Sequence, residues 1–548
     1  MRYGTFDIEA NNWNEIYAIG YYIDQKIEIV KELHKSNDYF IMRFLDILPE
    51  GIYYAHNGSR YDFLFFLDYF GANNVKFDCI FIHNAPVKIT FKYNDKSYEF
   101  RDSISILPSS LKKLTHSFNV VHKKLELDYS IGIKDANFNH YFENDLLGLY
   151  EVLSECNLTD KLTIASNCMA IYTKKFYQGK YPKMSRNDFN TDNFFRRSYY
   201  GGRVELIKRY GINLNYYDVN SLYPYVMKEF EYPLPIKNNY EFSDKLYNDK
   251  LGIYYAKITA PDINIPLLPY RFNKKLLFPI GNFEGVYTSN ELLKAQKLGY
   301  KISELSGFVF KETDFIFKDY VDYYYAIKKD SAGSKKEIAK LMLNSLYGKF
   351  GQRRIYTDMQ LININSIKNN VLYSSVVGSL ILEQIKKYNK YSNFLHSEIA
   401  AMITANARLH LYSFIEKCGS DSVYYYDTDS LITNKTLKTS LELGDMKQEN
   451  EIKEFIGLGA KLYAYTNSKG EIVMHSKGFR DLTYSAFESA IQGDYSKISS
   501  KFTGLSSFRN SFIRHRKTFT TVNQIERHIN THYNKRVLKG NTTIPIKV

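Results

Sequence analysis

Aspartates on short strand-like runs are the residues of this chain best suited to bond-making chemistry. Asp218 closes the run 214–217 and is followed by Val219, while Asp427 and Asp429 stand between runs 423–426 and 431–433, at the tip of an expected β-hairpin. Between these segments Lys336, Lys340, Asn344 and Tyr347 recur at i, i+4, i+8 and i+11, one stripe of an α-helix that Gly348 is expected to end. Ile338, Leu341, Met342 and Ser345 form a separate face for the core. Transfer to a nucleotide α-phosphate needs two divalent cations about 3.5–4 Å apart, held by carboxylates that converge from separate strands. Asp218, Asp427 and Asp429, with the Val219 carbonyl, could hold such a pair. Lys340 could meet a polyphosphate as a mobile point charge, and Tyr347 an incoming base. An isolated Asp-Thr-Asp is an ordinary polar turn; its pairing with the Asp218 segment makes it a candidate site.

A second set of acids lies near the front. Asp7 and Glu9 flank Ile8, Asp62 ends the run Asn57-Gly58-Ser59-Arg60-Tyr61, and Asp145 follows Tyr141 by one helical turn. Four carboxylates and a phenol are what a two-metal 3′→5′ exonuclease requires, as ligands for both ions and a group to orient the attacking water. Tyr141 and Asp145, at i and i+4, share a helix face.

The elements that must position these residues can be read coarsely. Runs 3–8 and 16–23 read as strands about a turn at Asn11-Asn12, and 146–153 as an amphipathic helix. Residues 289–298 read as a helix after the turn-rich 278–285. The segment 501–548 carries a single acid, Glu526. Phe502, Phe508, Phe512, Phe519 and Ile525 interleave with its basic residues, which suggests a folded surface tracking phosphates. The length of 548 residues allows several compact units, 44% hydrophobic content supports real cores, and a net charge of +14 favours an anionic partner. Cys79, Cys156, Cys168 and Cys418 are scattered, which argues against a zinc site or disulfide framework. No stretch is long enough to span a bilayer, and strand-forming Asp7 and Glu9 leave no room for a cleavable presequence.

Taken with their order, Asp218-Val219-Asn220-Ser221-Leu222-Tyr223-Pro224, the stretch from Lys340 to Gly348, and Tyr425-Tyr426-Asp427-Thr428-Asp429-Ser430 resemble motifs A, B and C of family B DNA polymerases. The likeness is to the protein-primed branch of phages and linear mitochondrial plasmids. Asp7-Ile8-Glu9, 57–62 and 141–145 resemble that family's three exonuclease motifs. The resemblance implies a right-hand polymerase of palm, fingers and thumb beside an RNase H-like exonuclease domain, α/β and α+β units in one chain. It implies Asp218 and Asp429 as direct metal ligands with Asp427 auxiliary. It also implies Tyr223 beneath the sugar, where it excludes a 2′-hydroxyl, and Lys461 of Lys461-Leu462-Tyr463 at the nucleotide or primer end. DNA contacts are implied for Asn57, Ser110, Leu111, Lys124, Tyr463, and Tyr200, Gly201 and Gly202 of the hinge. Thr404 and Arg408 of Thr404-Ala405-Asn406-Ala407-Arg408 are implied at the template. Two Mg2+ per active site, or Mn2+, would serve both reactions.

The implied layout is exonuclease over 1–160, linker and start of palm over 161–225, and an inserted subdomain of terminal-protein-binding type with palm return over 226–335. The fingers helix follows at 336–348, then a second insertion for strand displacement and processivity with the remaining fingers at 349–395, palm with motif C at 396–500, and thumb at 501–548. Partners implied are primer-template DNA, deoxynucleoside triphosphates and a separate terminal protein, with the polymerase a monomer and no membrane attachment. A plasmid in a mitochondrion or a phage in its host's cytoplasm are the two settings the resemblance allows. The alternative is an exonuclease or nucleic-acid-binding protein whose polymerase site is vestigial. Deleting 352–385 is expected to leave single-nucleotide insertion intact and to shorten products on duplex templates in a primer-extension gel; unchanged product length would contradict the assignment.

Overall fold

The computed structural model describes residues 2–548 apart from 83, 128–131, 159–160, 354, 364–373, 379, 389–391 and 530–534. Alternating apolar runs at the front build a seven-stranded sheet. Its order is Lys26–Lys31, Glu15–Ile23, Gly4–Asn11, Gly51–Ala55, Lys96–Asp102, Ala85–Tyr93, Phe77–Ile82. Gly51–Ala55 runs parallel to both neighbours and the other pairings are antiparallel. Helices Asn37–Ile47 and Asp62–Ala72 cover one face through phenylalanines: the Phe6 ring lies 4.6 Å from Phe100 and 5.7 Å from Phe66. Helix Phe138–Cys156 packs on the first strand, where the Thr5 hydroxyl donates to the Leu146 carbonyl at 2.8 Å. Side chains alternate along a strand, so Asp7 and Glu9 share one face and meet the Tyr141–Asp145 face of that helix.

A second seven-stranded sheet, antiparallel throughout, carries the other acids. Its order is Ile472–Ser476, Leu462–Asn467, Met446–Gly459, Tyr210–Val219, Ser430–Thr433, Val423–Asp427, Val204–Leu206. Helix Ser397–Cys418, rich in buried alanine, packs behind it beside Leu222–Glu229. Strands Tyr240–Ser243, Lys301–Phe310, Gly252–Ala260 and Gly281–Thr288 form a separate sheet, followed by helix Ser289–Lys297 with a Thr288–Glu291 capping box. Among the described residues no helix is long and apolar enough to cross a membrane.

Several expectations change on folding. Residues 318–330, grouped on sequence with the inserted subdomain, form the helix Lys318–Asp330, which packs on Gly333–Ser345 as a helical pair. Gly348 does not end the helical run: Tyr347–Phe350 is a further helical turn, because Leu346 and Phe350, at i and i+4, are both fully buried. The buried face of Gly333–Ser345 is Ala339, Met342 and Leu343, with Ile338 and Leu341 only half-buried. The three strands Ile355–Asn363, Ser374–Val377 and Leu380–Tyr388 form a small sheet within the expected second insertion, whose central part, 364–373, lies outside the described residues. Phe508, Phe512 and Phe519 are not spread over a phosphate-tracking surface. They stack on one another and close over the first domain's core with Leu361, Val377 and Leu380. Phe502 remains at the surface, between the guanidinium groups of Arg480 and Arg527.

The same contact is fastened by a carboxylate. Asp68 of the first domain accepts the Phe519 amide at 2.7 Å, the Thr520 amide at 3.1 Å and the Thr520 hydroxyl at 2.8 Å. Asp68→Ala is expected to cost this contact about 1–3 kcal/mol and to speed proteolytic cutting within 506–521. Cutting at the wild-type rate would show that the phenylalanines hold the segment unaided.

Candidate active sites

Register brings the synthetic acids together. Ser430 pairs directly with Asp218, and the Val219 amide donates to the Asp429 carbonyl at 2.7 Å, so the hairpin tip lies beside the end of strand Tyr210–Val219. The tip is a two-residue loop in which Thr428 has φ +60°, a left-handed conformation that costs a threonine about 1–2 kcal/mol. The Arg203 carbonyl holds it by accepting the Thr428 amide at 2.7 Å. Gly202 is required by the same approach, since a Cβ there would meet Thr428 Oγ1 at 2.6 Å.

Charge separates the three aspartates. Asp427 is neutralised by Lys461, whose Nζ lies 2.6 and 2.8 Å from its two oxygens. Asp218 is pushed up to about 7 by burial, then by Asp429 and Glu449. Asp429 is pushed up to about 6, by burial and then by Asp427. Burial and neighbouring carboxylates outweigh the nearby lysines, Lys447 and Lys328 for Asp218 and Lys461 for Asp429, and a divalent cation at Asp218 and Asp429 would relieve both effects. Glu449, on the adjoining strand, was not singled out on sequence, because only the pairing of Met446–Gly459 with Tyr210–Val219 brings it near Asp218.

Above these acids Tyr223 and Tyr347 stack, with centroids 4.6 Å apart and planes at 14°. Lys340 and Asn344 are exposed on Gly333–Ser345, with Lys340 Nζ 3.4 Å from Glu337. Both line a cavity of about 210 Å³ that the first domain completes with Ser109, Lys113 and Phe118. A cation missed on sequence stands closer in: Lys328 Nζ donates to Ser221 Oγ at 2.6 Å, and it is held below its ordinary range by burial, then by Lys340 and Lys336. Nothing in the local sequence of 318–330 marks it, and only the packing of Lys318–Asp330 beside Gly333–Ser345 and Leu222–Glu229 brings it there.

The expected DNA-contacting residues divide. Gly201 is exposed, but Tyr200, Thr404, Arg408 and Tyr463 are buried. Arg408 spends its guanidinium on Glu291 at 2.7 Å and on the Tyr200 and Gly201 carbonyls at 2.9 Å each, and Thr404 bonds the Ala401 carbonyl at 3.0 Å. In this structure both side chains are engaged with protein partners, and Arg408 fixes the Tyr200–Gly201 backbone. Tyr463 packs between Tyr425 and His475 at 4.7 and 4.6 Å.

In the first domain, ligand oxygens of Asp7, Glu9 and Asp145 all lie within 4.8 Å of one another. Asp62, at the start of its helix, accepts the Ile8 amide at 3.0 Å and joins them from the side. Tyr141 donates to Glu9 at 2.7 Å, and Lys124 bonds Asp145 and reaches the Tyr141 hydroxyl at 3.3 Å. Asp7 is raised well above its ordinary value by burial, then by Asp62 and Glu9. Burial is also the main cause that lifts Glu9 to about 7 and Asp62 to about 8. Asp145 Oδ1 is buried without a partner among the described residues, so this cluster also fits divalent cations. Asn57 takes φ +65° with its Oδ1 buried and without a partner among the described residues, and Ser110 caps the helix Leu111–Ser117, whose first residue is buried.

Residues 48–151 and 136–448 match the family described as DNA polymerase type B, organellar and viral. A probable DNA polymerase of Neurospora intermedia is 30% identical over 77% of this chain and 52% of its own length. The DNA polymerase of Bacillus phage phi29 is 28% identical over 60% of this chain and 59% of its own length. The chain spans about half the length of the Neurospora intermedia and Podospora anserina relatives it matches. Phi29 DNA polymerase complexed with primer-template DNA and incoming nucleotides superposes with a TM-score of 0.76 at 20% identity, covering 97% of this chain and all of that one. That likeness shows the fold: an RNase H-like exonuclease domain joined to a right-hand palm, fingers and thumb.

Raised carboxylates make stability depend on pH with a definite sign. Asp62, at about 8, binds a proton in the folded state that the unfolded chain has lost above about pH 4, so this group's contribution to metal-free stability falls as pH rises between those values. His56, His410 and His475, held low by burial, act oppositely, so the comparison is with Asp62→Asn. In chelator, the melting temperature of Asp62→Asn relative to wild type is expected to climb from about pH 5.5 to about pH 8.5. A difference independent of pH would refute the shift.

Proposed function

The chain belongs to the organellar and viral type B DNA polymerases, and from that membership we propose that it is a DNA-templated DNA polymerase with its own 3′→5′ exonuclease. The observation that carries this reading is the register placing Asp429 beside Asp218 beneath a group of lysines, Lys328, Lys336 and Lys340. Bound Mg2+, or Mn2+, would activate the attacking hydroxyl or water and stabilise the leaving oxygen in each reaction. Asp218, Asp429 and the Val219 carbonyl would hold it in the palm, and Asp7, Glu9, Asp62 and Asp145 in the exonuclease domain.

The chain's own groups do the rest. The three lysines attract and orient the triphosphate as point charges. Tyr223 and Tyr347 fill each other's faces until a base pair parts them, and Tyr223 then lies against the sugar and selects deoxynucleotides. Lys461 keeps Asp427 neutralised while standing where a nucleotide or primer end arrives. In the editing site Tyr141 and Lys124 orient the attacking water against the frayed primer end, which Asn57, Ser110 and Leu111 border. Gly201 and Gly202 form the backbone passage between the two centres, held by Arg408. Priming by a terminal protein and strand displacement belong to the same proposal, supported by the two inserted sheets.

With Mg2+ and a 5′-labelled primer on a longer template, the wild-type protein is expected to extend the primer when deoxynucleotides are present and to shorten it when they are absent. Asp429→Ala should lose extension by about 1,000-fold or more, the equivalent of about 4 kcal/mol of barrier, while shortening persists. Asp7→Ala should do the reverse. Shortening without extension by the wild type would sink the polymerase reading.

A further inference from the structure

Strand Val204–Leu206 is three residues long and forms the edge of the palm sheet, yet it is the neighbour against which Val423–Asp427 lies. Edge strands this short pair weakly by themselves. This one is held from beneath by charge. Arg203, Glu205, Tyr426 and Arg536 are all at most 1% exposed. Glu205 accepts Arg203 Nη2 at 2.8 Å and Nε at 3.1 Å, accepts the Tyr426 hydroxyl, and faces Arg536 Nη1 at 3.7 Å. The Arg203 guanidinium also lies 4.1 Å from the Phe278 ring and 5.0 Å from that of Tyr426.

Arg536 comes from a distant hairpin, Arg536–Lys539 with Thr542–Pro545. That hairpin is bonded to the same edge: the Thr543 hydroxyl donates to the Leu206 carbonyl at 2.6 Å, and its amide to Ile207 at 2.8 Å. Arg536 Nη2 bonds the Asn264 carbonyl and side-chain oxygen, each at 2.8 Å, so one guanidinium ties three segments together. Two links run from this cluster to the aspartates. Tyr426 immediately precedes Asp427, and the Arg203 carbonyl accepts the amide of left-handed Thr428. A one-residue slip would send every side chain of the strand to the opposite face.

We propose that Arg203, Glu205 and Arg536, closed by Tyr426, are positioning residues that hold the Asp427–Asp429 hairpin in register with Asp218. The segment 536–543 thus takes part in synthesis without touching substrate. The proposal rests on the synthetic reading of Asp218 and Asp429. A cluster serving stability alone would affect both activities through loss of fold. A positioning cluster lowers the rate of insertion selectively, because a displacement of about 1 Å can cost about 100-fold.

Two variants test it. Arg536→Met removes one charge and leaves the Arg203–Glu205 pair, and Tyr426→Phe removes one hydroxyl and keeps the ring. Full-length proteins are assayed for single-nucleotide insertion, for exonuclease rate, and for hydrogen–deuterium exchange of the peptide spanning Thr428. Each variant is expected to lower insertion kcat by about 10- to 100-fold with nucleotide KM and exonuclease rate little changed, to require more Mg2+ for half-maximal insertion, and to exchange the Thr428 peptide faster without metal. Exonuclease lost together with insertion in Arg536→Met marks misfolding, and Tyr426→Phe then decides. Insertion kcat and Thr428 exchange at wild-type levels in a variant with intact exonuclease overturn the clamp. Absence of insertion by the wild type overturns the polymerase reading instead.

Discussion

The cost of gathering carboxylates in partly dry sites, set by burial first and by mutual repulsion second, is the constraint on which both halves of this molecule are built. Acids brought within a few ångströms in a partly dry site resist ionising together, and the fold must hold them there regardless. It does so by giving some of them a hydrogen-bonding or cationic partner and leaving others, among the described residues, without a bonded cation. Asp145 leans on Lys124, Glu9 on Tyr141, and Asp427 on Lys461. Asp7, Asp62, Asp218 and Asp429 have no such cation within bonding distance among the described residues, and burial first, then neighbouring carboxylates, holds them above their ordinary range.

Holding bare acids in place requires rigid backbone. In the exonuclease domain the strand bearing Asp7 and Glu9 is the second of three consecutive neighbours in a sheet covered by phenylalanine-rich helices. In the palm the corresponding rigidity is assembled from distant segments. Thr428 tolerates a left-handed turn because the Arg203 carbonyl meets its amide and Gly202 leaves room for its side chain. Arg408 pins the adjoining Tyr200 and Gly201 carbonyls from the helix behind the sheet, with Glu291 balancing its charge. Buried ion pairs of this kind add little net stability but are costly to break singly, which suits them to holding one geometry.

The two centres are also tied to each other. Helix Gly333–Ser345 lies against the exonuclease domain, where Ser334 bonds Glu155 at 3.0 Å, and Lys113 and Lys340 line one cavity from opposite sides. On the far side, Asp68 and the phenylalanine cluster join the segment 506–521 to the same domain. A polymer passing from one site to the other would thus travel between surfaces whose spacing is set by direct contacts.

Much of this was legible in the residues. The hairpin about Asp427 and Asp429, the strand ending at Asp218, the helix carrying Lys340 and Asn344, and the shared faces of Asp7 with Glu9 and of Tyr141 with Asp145 follow from local spacing, because strands repeat every two residues and helices about every 3.6. Joining the last two pairs into one site rested on the family resemblance. Glu449 and Lys328 were hidden, since strand register and helix pairing between segments more than 100 residues apart bring them to Asp218. The phenylalanines at 508–519 misled for the same reason: an aromatic residue has the same local signature whether it faces DNA or a buried partner. What the sequence determined by itself was the chemistry available, written in short-range periodicity and residue type. Which carboxylates stay bare, which cations are spent inside, and what holds the hairpin in register were decided by tertiary structure, because burial and charge pairing depend on neighbours that lie far away along the chain.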